Sequence, residues 1–413
     1  MSGRLVISRL GAQGDGVADT PEGPVFVPFA LPGETVTVAR VKNRATLLAV
    51  IEPSGLRVAP PCRHFTECGG CALQHLSTPA YLAFKRERVV DALATRGIDA
   101  PVGDTIACAP ASRRRAVFSV RLGDRGIVLG YNRALSHDLV DIAECPILVP
   151  AIVTALPLLR HLAGIVAATR DPFHLTVTQT DSGLDIAAVG SGPLSEASRR
   201  AAADFAIRER IARLSVDGET VVEPVKPAIS LGTATVAPPP GAFLQAVASA
   251  EAAMAQLVMG HLGKAKRVAD LFSGSGTFAL RLAARSDVHA LEADAAALSA
   301  LDRGFRFAAG LRKVTVEKRD LFRRPLTFKE LNLYDGVVFD PPRAGAEDQA
   351  KQIARSDVAR VAAVSCNPVT LARDLALLVE GGYRVLSVTP VDQFLWSPHV
   401  EAVALLEKPK RRR

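Results

Sequence analysis

The 413-residue sequence contains no internal repeat and no low-complexity tract, which excludes solenoid and fibrous architectures. Its N-terminus, MSGRLVISRL, lacks the basic-then-apolar order of a secretory signal. No clean membrane-length run is present either. Residues 149–169 come nearest, but Pro157, Arg160 and His161 interrupt them, and an amphipathic helix is the better reading. A cytoplasmic protein with no membrane partner is therefore expected, and a monomer. In that reducing compartment the six cysteines are not expected to form disulfides. One metal signature is also missing: no two CxxC pairs stand at the spacing of a four-cysteine zinc site.

What is present describes a soluble globular chain, 48% hydrophobic and 22% charged, long enough for two or three domains. Fifty basic against 42 acidic residues leave a net charge of +8. That balance suits a polyanionic partner, although any basic surface would produce it.

Three cysteines cluster in CRHFTECGGC, at Cys62, Cys68 and Cys71, and Cys145 follows in AECP. Gly69 and Gly70 would let the backbone fold back so that Cys68 and Cys71 face one centre. Three clustered thiolates and a distant fourth before proline form a pattern that iron–sulfur clusters use. Zinc and ordinary buried thiols stay open on spacing alone.

Three segments follow from composition and pattern. Residues 1–55 alternate short β-rich runs with glycine turns, as a small OB-like barrel does, with Arg40, Lys42 and Arg44 near a strand end. Those cations suit RNA or plain solvation equally. Residues 56–235 should form a central α+β domain carrying the cysteine cluster. It holds a helix from Pro79 to about Arg96 and strands in FHLTVTQT and GLDIAAVG. Arg113 to Arg115 lead into a further strand, either to grip phosphates or to protect an exposed edge. From 236 to 413, strands and helices alternate in the manner of a parallel, doubly wound sheet with ligands at the strand carboxyl ends. The terminal KPKRRR is expected to be solvated.

The last segment carries the chemistry. Its first strand ends in DLFSGSGTFAL, where Gly274 and Gly276 make a tight turn that a cofactor can approach. The next strand ends at Glu292, placed to hold ribose hydroxyls. A dinucleotide fingerprint would want a third glycine, and only Ala279 stands near that place. Asp320, in KRDLF, lies where an acidic residue meets adenine in methyltransferases, so S-adenosylmethionine is the better cofactor. VVFDPPRAG follows, its two prolines making a rigid loop with Asp340 aimed into the cleft. Arg343 comes next, where enzymes that methylate exocyclic amines carry a stacking aromatic.

Cys366 ends a strand at SCNP, before a helix whose Pro368 suits the first turn and whose dipole would favour thiolate. A thiol so placed fits methylation of pyrimidine C5, a carbon that is unreactive until a nucleophile adds to C6. A base must then remove the C5 proton. Glu401, after His399 in SPHVEAVALLEK, can serve, although a capping or ion-pairing role would suit it too.

DLFSGSGTFAL, DPPRAG, SCNPVTLARD and HVEAVALLEK, in that order, resemble the RNA uracil-C5 methyltransferase family. CRHFTECGGCALQH with Cys145 resembles the [4Fe-4S] motif of its 23S rRNA branch, and the N-terminal segment resembles a TRAM domain. The resemblance implies a Rossmann-like S-adenosylmethionine-dependent domain at the C-terminus that makes 5-methyluridine in 23S rRNA. Cys366 would be the nucleophile and Glu401 the base. Gln245, Glu292 and Asp340 would line the cofactor and uracil site. Phe272, Gly274 and Gly276 would hold S-adenosylmethionine, with Asp320 a weaker carry-over. Cys62, Cys68, Cys71 and Cys145 would hold the cluster. The chain departs from the family's DMFPxTxHVE before the base, reading VDQFLWSPHVE, and Trp396 there could stack on a flipped base or fill the pocket wall. Asp392 still matches the acidic position loosely. The alternatives are the tRNA T-loop as substrate, although that branch generally lacks both barrel and cysteine motif, and a non-catalytic iron–sulfur RNA-binding protein.

Overall fold

The computed structural model describes residues 2–124, 126–134 and 136–409. Most of the KPKRRR tail lies outside the described residues. Its first member, Lys408, is half-buried, and its ammonium donates to the carbonyls of Ala354 and Ser356.

Residues 2–52 form a six-stranded sheet: β1 (Ser2–Val6), β2 (Arg9–Leu10), β3 (Gly16–Thr20), β4 (Gly23–Val27), β5 (Thr35–Val41) and β6 (Arg44–Glu52), in the order β1-β5-β6-β4-β3-β2. Alternation in TVTVARV turns Val36 and Val38 inward, where they pack with Ile7, Val25 and Val27. Lys42 and Arg44 are exposed at the β5–β6 turn, while Arg40 pairs with Glu22 at 3.3 Å.

After helix α1 (Thr78–Ala94) comes a seven-stranded sheet. Its elements are β7 (Arg115–Gly123), β8 (Gly126–Asn132), β9 (Leu139–Asp141), α2 (Pro150–Thr154), α3 (Leu156–Val166), β10 (Phe173–Thr180), β11 (Gly183–Val189), α4 (Glu196–Arg208), β12 (Arg213–Val216) and β13 (Glu219–Val222). The strand order is β13-β12-β11-β10-β7-β8-β9. The expected amphipathic helix over 149–169 is therefore two, broken at Ala155, where Pro157 opens the second.

Both readings of Arg113–Arg115 are corrected. β7 lies inside the sheet, between β10 and β8. Arg114 pairs with Glu251 at 2.7 Å and donates to the Gln245 carbonyl, while Arg115 donates to the carbonyls of Gly241 and Ala242. Buried carbonyls without strand partners need donors, and these side chains supply them to the loop that carries Gln245.

The hairpin β14 (Ile229–Leu231) and β15 (Ala234–Val236) leads into the third unit. It comprises α5 (Ala248–Leu262), β16 (Arg267–Leu271), α6 (Ala279–Leu282), β17 (Asp287–Glu292), α7 (Ala295–Phe307), β18 (Val314–Lys318), α8 (Phe328–Leu331), β19 (Gly336–Phe339), α9 (Glu347–Arg355), β20 (Arg360–Ser365), α10 (Pro368–Glu380), β21 (Arg384–Val391) and β22 (Glu401–Glu407). The sheet order is β18-β17-β16-β19-β20-β22-β21. Successive β20 residues face opposite cores: Val361 and Ala363 one, Ala362 and Val364 the other. Burial on both faces explains the continuous apolar runs. The expected parallel order holds from β18 to β20, but β22 runs antiparallel to both neighbours. A nine-residue return after β21 permits only a hairpin, since a parallel crossover needs more chain.

Helix α1 packs not on the central sheet but on the last one, where Val89, Ala92 and Leu93 join the core that includes Leu371 and Leu375 of α10. No described helix is long and apolar enough to cross a membrane.

Candidate active site

The carboxyl edge of the last sheet gathers the residues that the sequence singles out. β16 ends at the glycine loop, β17 at Glu292, β19 at Asp340 and β20 at Cys366. Because β22 is antiparallel, its first residue reaches the same edge. Ser365 pairs with Ala402, so the next residue along, Cys366, comes level with Glu401.

The buried polar groups there form one chain of hydrogen bonds. Gln245 donates to Asp340 at 3.0 Å, and Gln393 donates both to Gln245 at 2.7 Å and to Glu401 at 2.6 Å. Burial raises the pKa of both carboxyls above the ordinary range. Asp340 raises Glu401 further, and the amide donated to each carboxyl opposes the rise.

Cys366 corrects an expectation. Its thiol is pushed up to about 11, first by burial and then by Glu401 and Asp340, with Arg343 opposing. Two facing carboxyls and a desolvated sulfur outweigh the α10 dipole, which is capped by Asn367 through the Val369 N–H. In the ligand-free protein the group is a thiol.

The glycine loop shows why its residues are needed. Gly276 adopts φ +102°, and a Cβ there would meet Leu301 at 2.9 Å. Phe272 takes φ 61°, a strained left-handed conformation for a non-glycine residue, and its ring rests on Phe322 at 5.3 Å. Glu292 accepts from the N–H groups of Gly274, Ala293 and Asp294, tying two strand ends together. One oxygen of Asp320 accepts from Phe322 and Arg323 N–H.

Sequence reasoning missed several groups, and for Asp392 it missed the partner. Asp270, in the strand before the loop, is fully buried, and neither of its oxygens has a hydrogen-bond partner of normal geometry. Burial drives its pKa well up. Asp392 forms a wholly buried pair with Lys85 of α1 at 2.8 Å and also accepts from Tyr81. Lys85 further donates to the carbonyls of Phe394 and His399. Only the unusual character of VDQFLWSPHVE could have signalled Gln393.

Trp396 lies beside the cysteine segment. It packs in a cluster with Leu73 and Tyr81, and its carbonyl accepts from Ala72 and Leu73 N–H. That segment adjoins the cysteines. Cys62, Cys68, Cys71 and Cys145 line one cavity of about 330 Å³, together with Tyr131 and Phe394. Arg63 N–H donates to Glu144 and Ala143 N–H to His64, drawing the distant Cys145 in. Gly70 N–H donates to Cys68 Sγ. Among the described residues no three His, Cys, Asp or Glu side chains are grouped to hold a metal ion.

With this geometry in view, residues 208–409 match the family model described as tRNA (Uracil-5-)-methyltransferase, and residues 4–42 match the TRAM domain. An RNA methyltransferase of Mesorhizobium japonicum is 62% identical over 413 residues, covering 100% of both chains. The chain belongs to the RNA (uracil-C5) methyltransferase family. A 23S rRNA (uracil(1939)-C(5))-methyltransferase, RlmD, of Halomonas elongata is 35% identical, with 98% of this chain and 89% of that protein aligned. The tRNA (uracil-54, C5)-methyltransferase of Pyrococcus abyssi, solved with S-adenosyl-L-homocysteine, has the same fold, with a TM-score of 0.77 at 24% identity over 98% of this chain and 99% of that one. The methyltransferase is thus S-adenosylmethionine-dependent and acts on RNA.

Proposed function

We propose that this methyltransferase converts uridine to 5-methyluridine in 23S rRNA, with Cys366 as nucleophile and Glu401 as base. The observation that carries the reading is the register that sets Cys366 level with Glu401 at the cofactor edge. The similarity to RlmD over nearly the whole chain supports the substrate class.

When bound, S-adenosylmethionine supplies an electrophilic methyl group and a positive sulfonium charge. Phe272, Gly274, Gly276 and Glu292 would hold it, with Asp320 at the adenine end; the loop that only glycine permits at 276 fits such a ligand. Gln245 and Asp340 would orient the uracil ring, a donor and an acceptor side by side. Extruding the base from its RNA fold brings C6 to the thiol. The sulfur must lose its proton before attack, and Arg343 favours that form. Cys366 Sγ then bonds to C6, and the C5=C6 electron pair moves onto the ring as an enolate, making C5 nucleophilic. Once C5 carries the methyl group, Glu401 takes the C5 proton. The freed pair re-forms C5=C6, and the C6–S bond breaks with its electrons returning to sulfur.

Cys62, Cys68, Cys71 and Cys145 would hold a [4Fe-4S] cluster. Four thiols converge on one cavity with a backbone N–H aimed at a sulfur, a donor set of the kind such clusters use. A cluster, being several atoms across, takes thiolates spread wider than a single ion does. Methyl transfer consumes no electrons, so its role would be to order the fold or shape the RNA. Lys42 and Arg44, exposed on the barrel, would add salt-dependent affinity.

The test is nucleoside mass spectrometry of 23S rRNA and tRNA from cells lacking the protein, complemented with wild type or Cys366→Ala. Loss of 5-methyluridine from 23S rRNA, restored by wild type alone, is expected. Loss from tRNA would move the substrate, and no loss anywhere would sink the reading.

A further inference from the structure

Gln393 has no part in the mechanism above, yet among the described residues it is the only one hydrogen-bonded to both halves of the cleft's polar chain. It lies two residues beyond the β21–β22 pairing, and its side chain is buried. Its carboxamide is not free to turn over. The Ala246 N–H donates to its Oε1 at 3.2 Å, so its two N–H bonds must point the other way. They meet two acceptors, Gln245 Oε1 at 2.7 Å and Glu401 Oε2 at 2.6 Å. With its own oxygen occupied, Gln245 can present only its N–H groups to Asp340, 3.0 Å away. One backbone N–H thus sets the orientation of both amides and, through them, of both carboxyls.

We propose that Gln393 is the positioning residue for proton removal, clamping Glu401 to the uracil-facing amide of Gln245 so that base and C5 keep a fixed separation. The proposal rests on Glu401 being the base. It says that the interaction matters in one step only. Addition of Cys366 to C6 does not use Glu401, and Gln245 keeps its own bond to Asp340 for orienting the ring, whereas loss of the C5 proton needs Glu401 ionised and held still. The donated N–H favours the ionised carboxylate, and a charged partner makes it one of the stronger neutral-donor bonds in the cleft.

The test separates those two steps with Gln393→Met, a side chain of similar length without the two N–H groups. On an unmodified 23S rRNA transcript labelled with tritium at uracil C5, release of tritium reports proton removal. On a transcript containing 5-fluorouridine, fluorine cannot leave as a cation, so a denaturation-resistant enzyme–RNA adduct reports addition and methyl transfer alone. The variant is expected to form adduct within about twofold of the wild-type rate. Its kcat for tritium release should fall roughly tenfold to a hundredfold, with KM for RNA unchanged, as loss of one such bond implies. An equal fall in both assays would mean that Gln393 merely holds the fold, and an unchanged tritium release would mean that it holds nothing that matters; either overturns the proposal. Should Gln393→Met fail to fold, Gln393→Asn keeps an amide one methylene short of Glu401 and carries the same expected split. Absence of any wild-type adduct would instead overturn the Cys366 mechanism itself, and the inference with it.

Discussion

The candidate active-site cleft and the cysteine cavity share the loop from Gln393 to His399, yet they treat buried polar groups in opposite ways. In the cleft, Asp340, Gln245, Gln393 and Glu401 satisfy one another, and each raised carboxyl has an amide holding it. In the cavity, burial pushes Cys71 up to about 12 and Cys145 up to about 11, and the cysteines raise one another. A side-chain network preorganises itself, whereas four facing thiols become ligands only when a cation draws off their protons. The cleft is therefore built by the chain alone, and on the proposed reading the cavity is completed by iron.

The largest expected effects fall in the cleft and split its two proposed catalytic roles. Cys366→Ala and Glu401→Gln should each cut 5-methyluridine formation by at least about a thousandfold. They should differ in what accumulates. Glu401→Gln leaves the RNA attached to Cys366, seen as a shifted band on a denaturing gel, and Cys366→Ala gives none. A persistent adduct in Cys366→Ala would remove this thiol from the mechanism.

Next in size is the contact on which both regions depend. Lys85→Met removes the cation from the buried pair under the shared loop and leaves Asp392 with only the Tyr81 hydroxyl, a loss of about 3–5 kcal/mol. Chemical denaturation of the variant should show it, and Lys85→Met with Asp392→Leu should recover most of it. If the double variant is as unstable as the single, the loop owes its place to the Trp396 and Tyr81 contacts instead.

A smaller effect separates the cleft thiol from an ordinary one. Cys366 stands at about 11, against 9.0 for an unperturbed group. Its thiolate fraction in the ligand-free enzyme should rise with pH throughout the neutral and alkaline range. Iodoacetamide labelling of the Cys366 peptide, followed by mass spectrometry, should accelerate about tenfold per pH unit from pH 7 to 10. A plateau below pH 9 would show the α10 dipole winning over burial.

How much of this was legible depends on how local each determinant is. The run from β16 to β20 could be read because strands buried on both faces are apolar throughout; Cys366 and Glu401 were singled out because the proposed chemistry at C5 asks for a nucleophile and a base. The acidity of Cys366 was misread. Its helix is visible in SCNP, but the carboxyls opposing it come from β19 and β22. Lys85 and Asp392 stand 307 positions apart, and nothing in either segment announces the other. Arg113–Arg115 looked like a phosphate grip because a sequence shows charge without direction. Gln393 stood in plain view, but a buried amide differs from a surface one only by its partners.

The same distinction decides the two glycines beside Cys68. Conformational freedom suggested that both were needed, yet neither adopts a positive φ. Gly69 is needed for space: a Cβ would meet the Asn132 carbonyl at 2.8 Å, where the Gly69 N–H also donates. Gly70 has only Cys68 Sγ nearby, at 3.5 Å. Gly69→Ala should therefore cost about 1–3 kcal/mol by forcing apart the backbones that seat the cysteine segment on the β8 end. Gly70→Ala should lie within about 0.5 kcal/mol of wild type. Thermal unfolding of the two variants compares them directly. Equal losses would return the role to backbone flexibility, and a loss confined to Gly69 would show that the cavity is set by how closely two chain segments can approach.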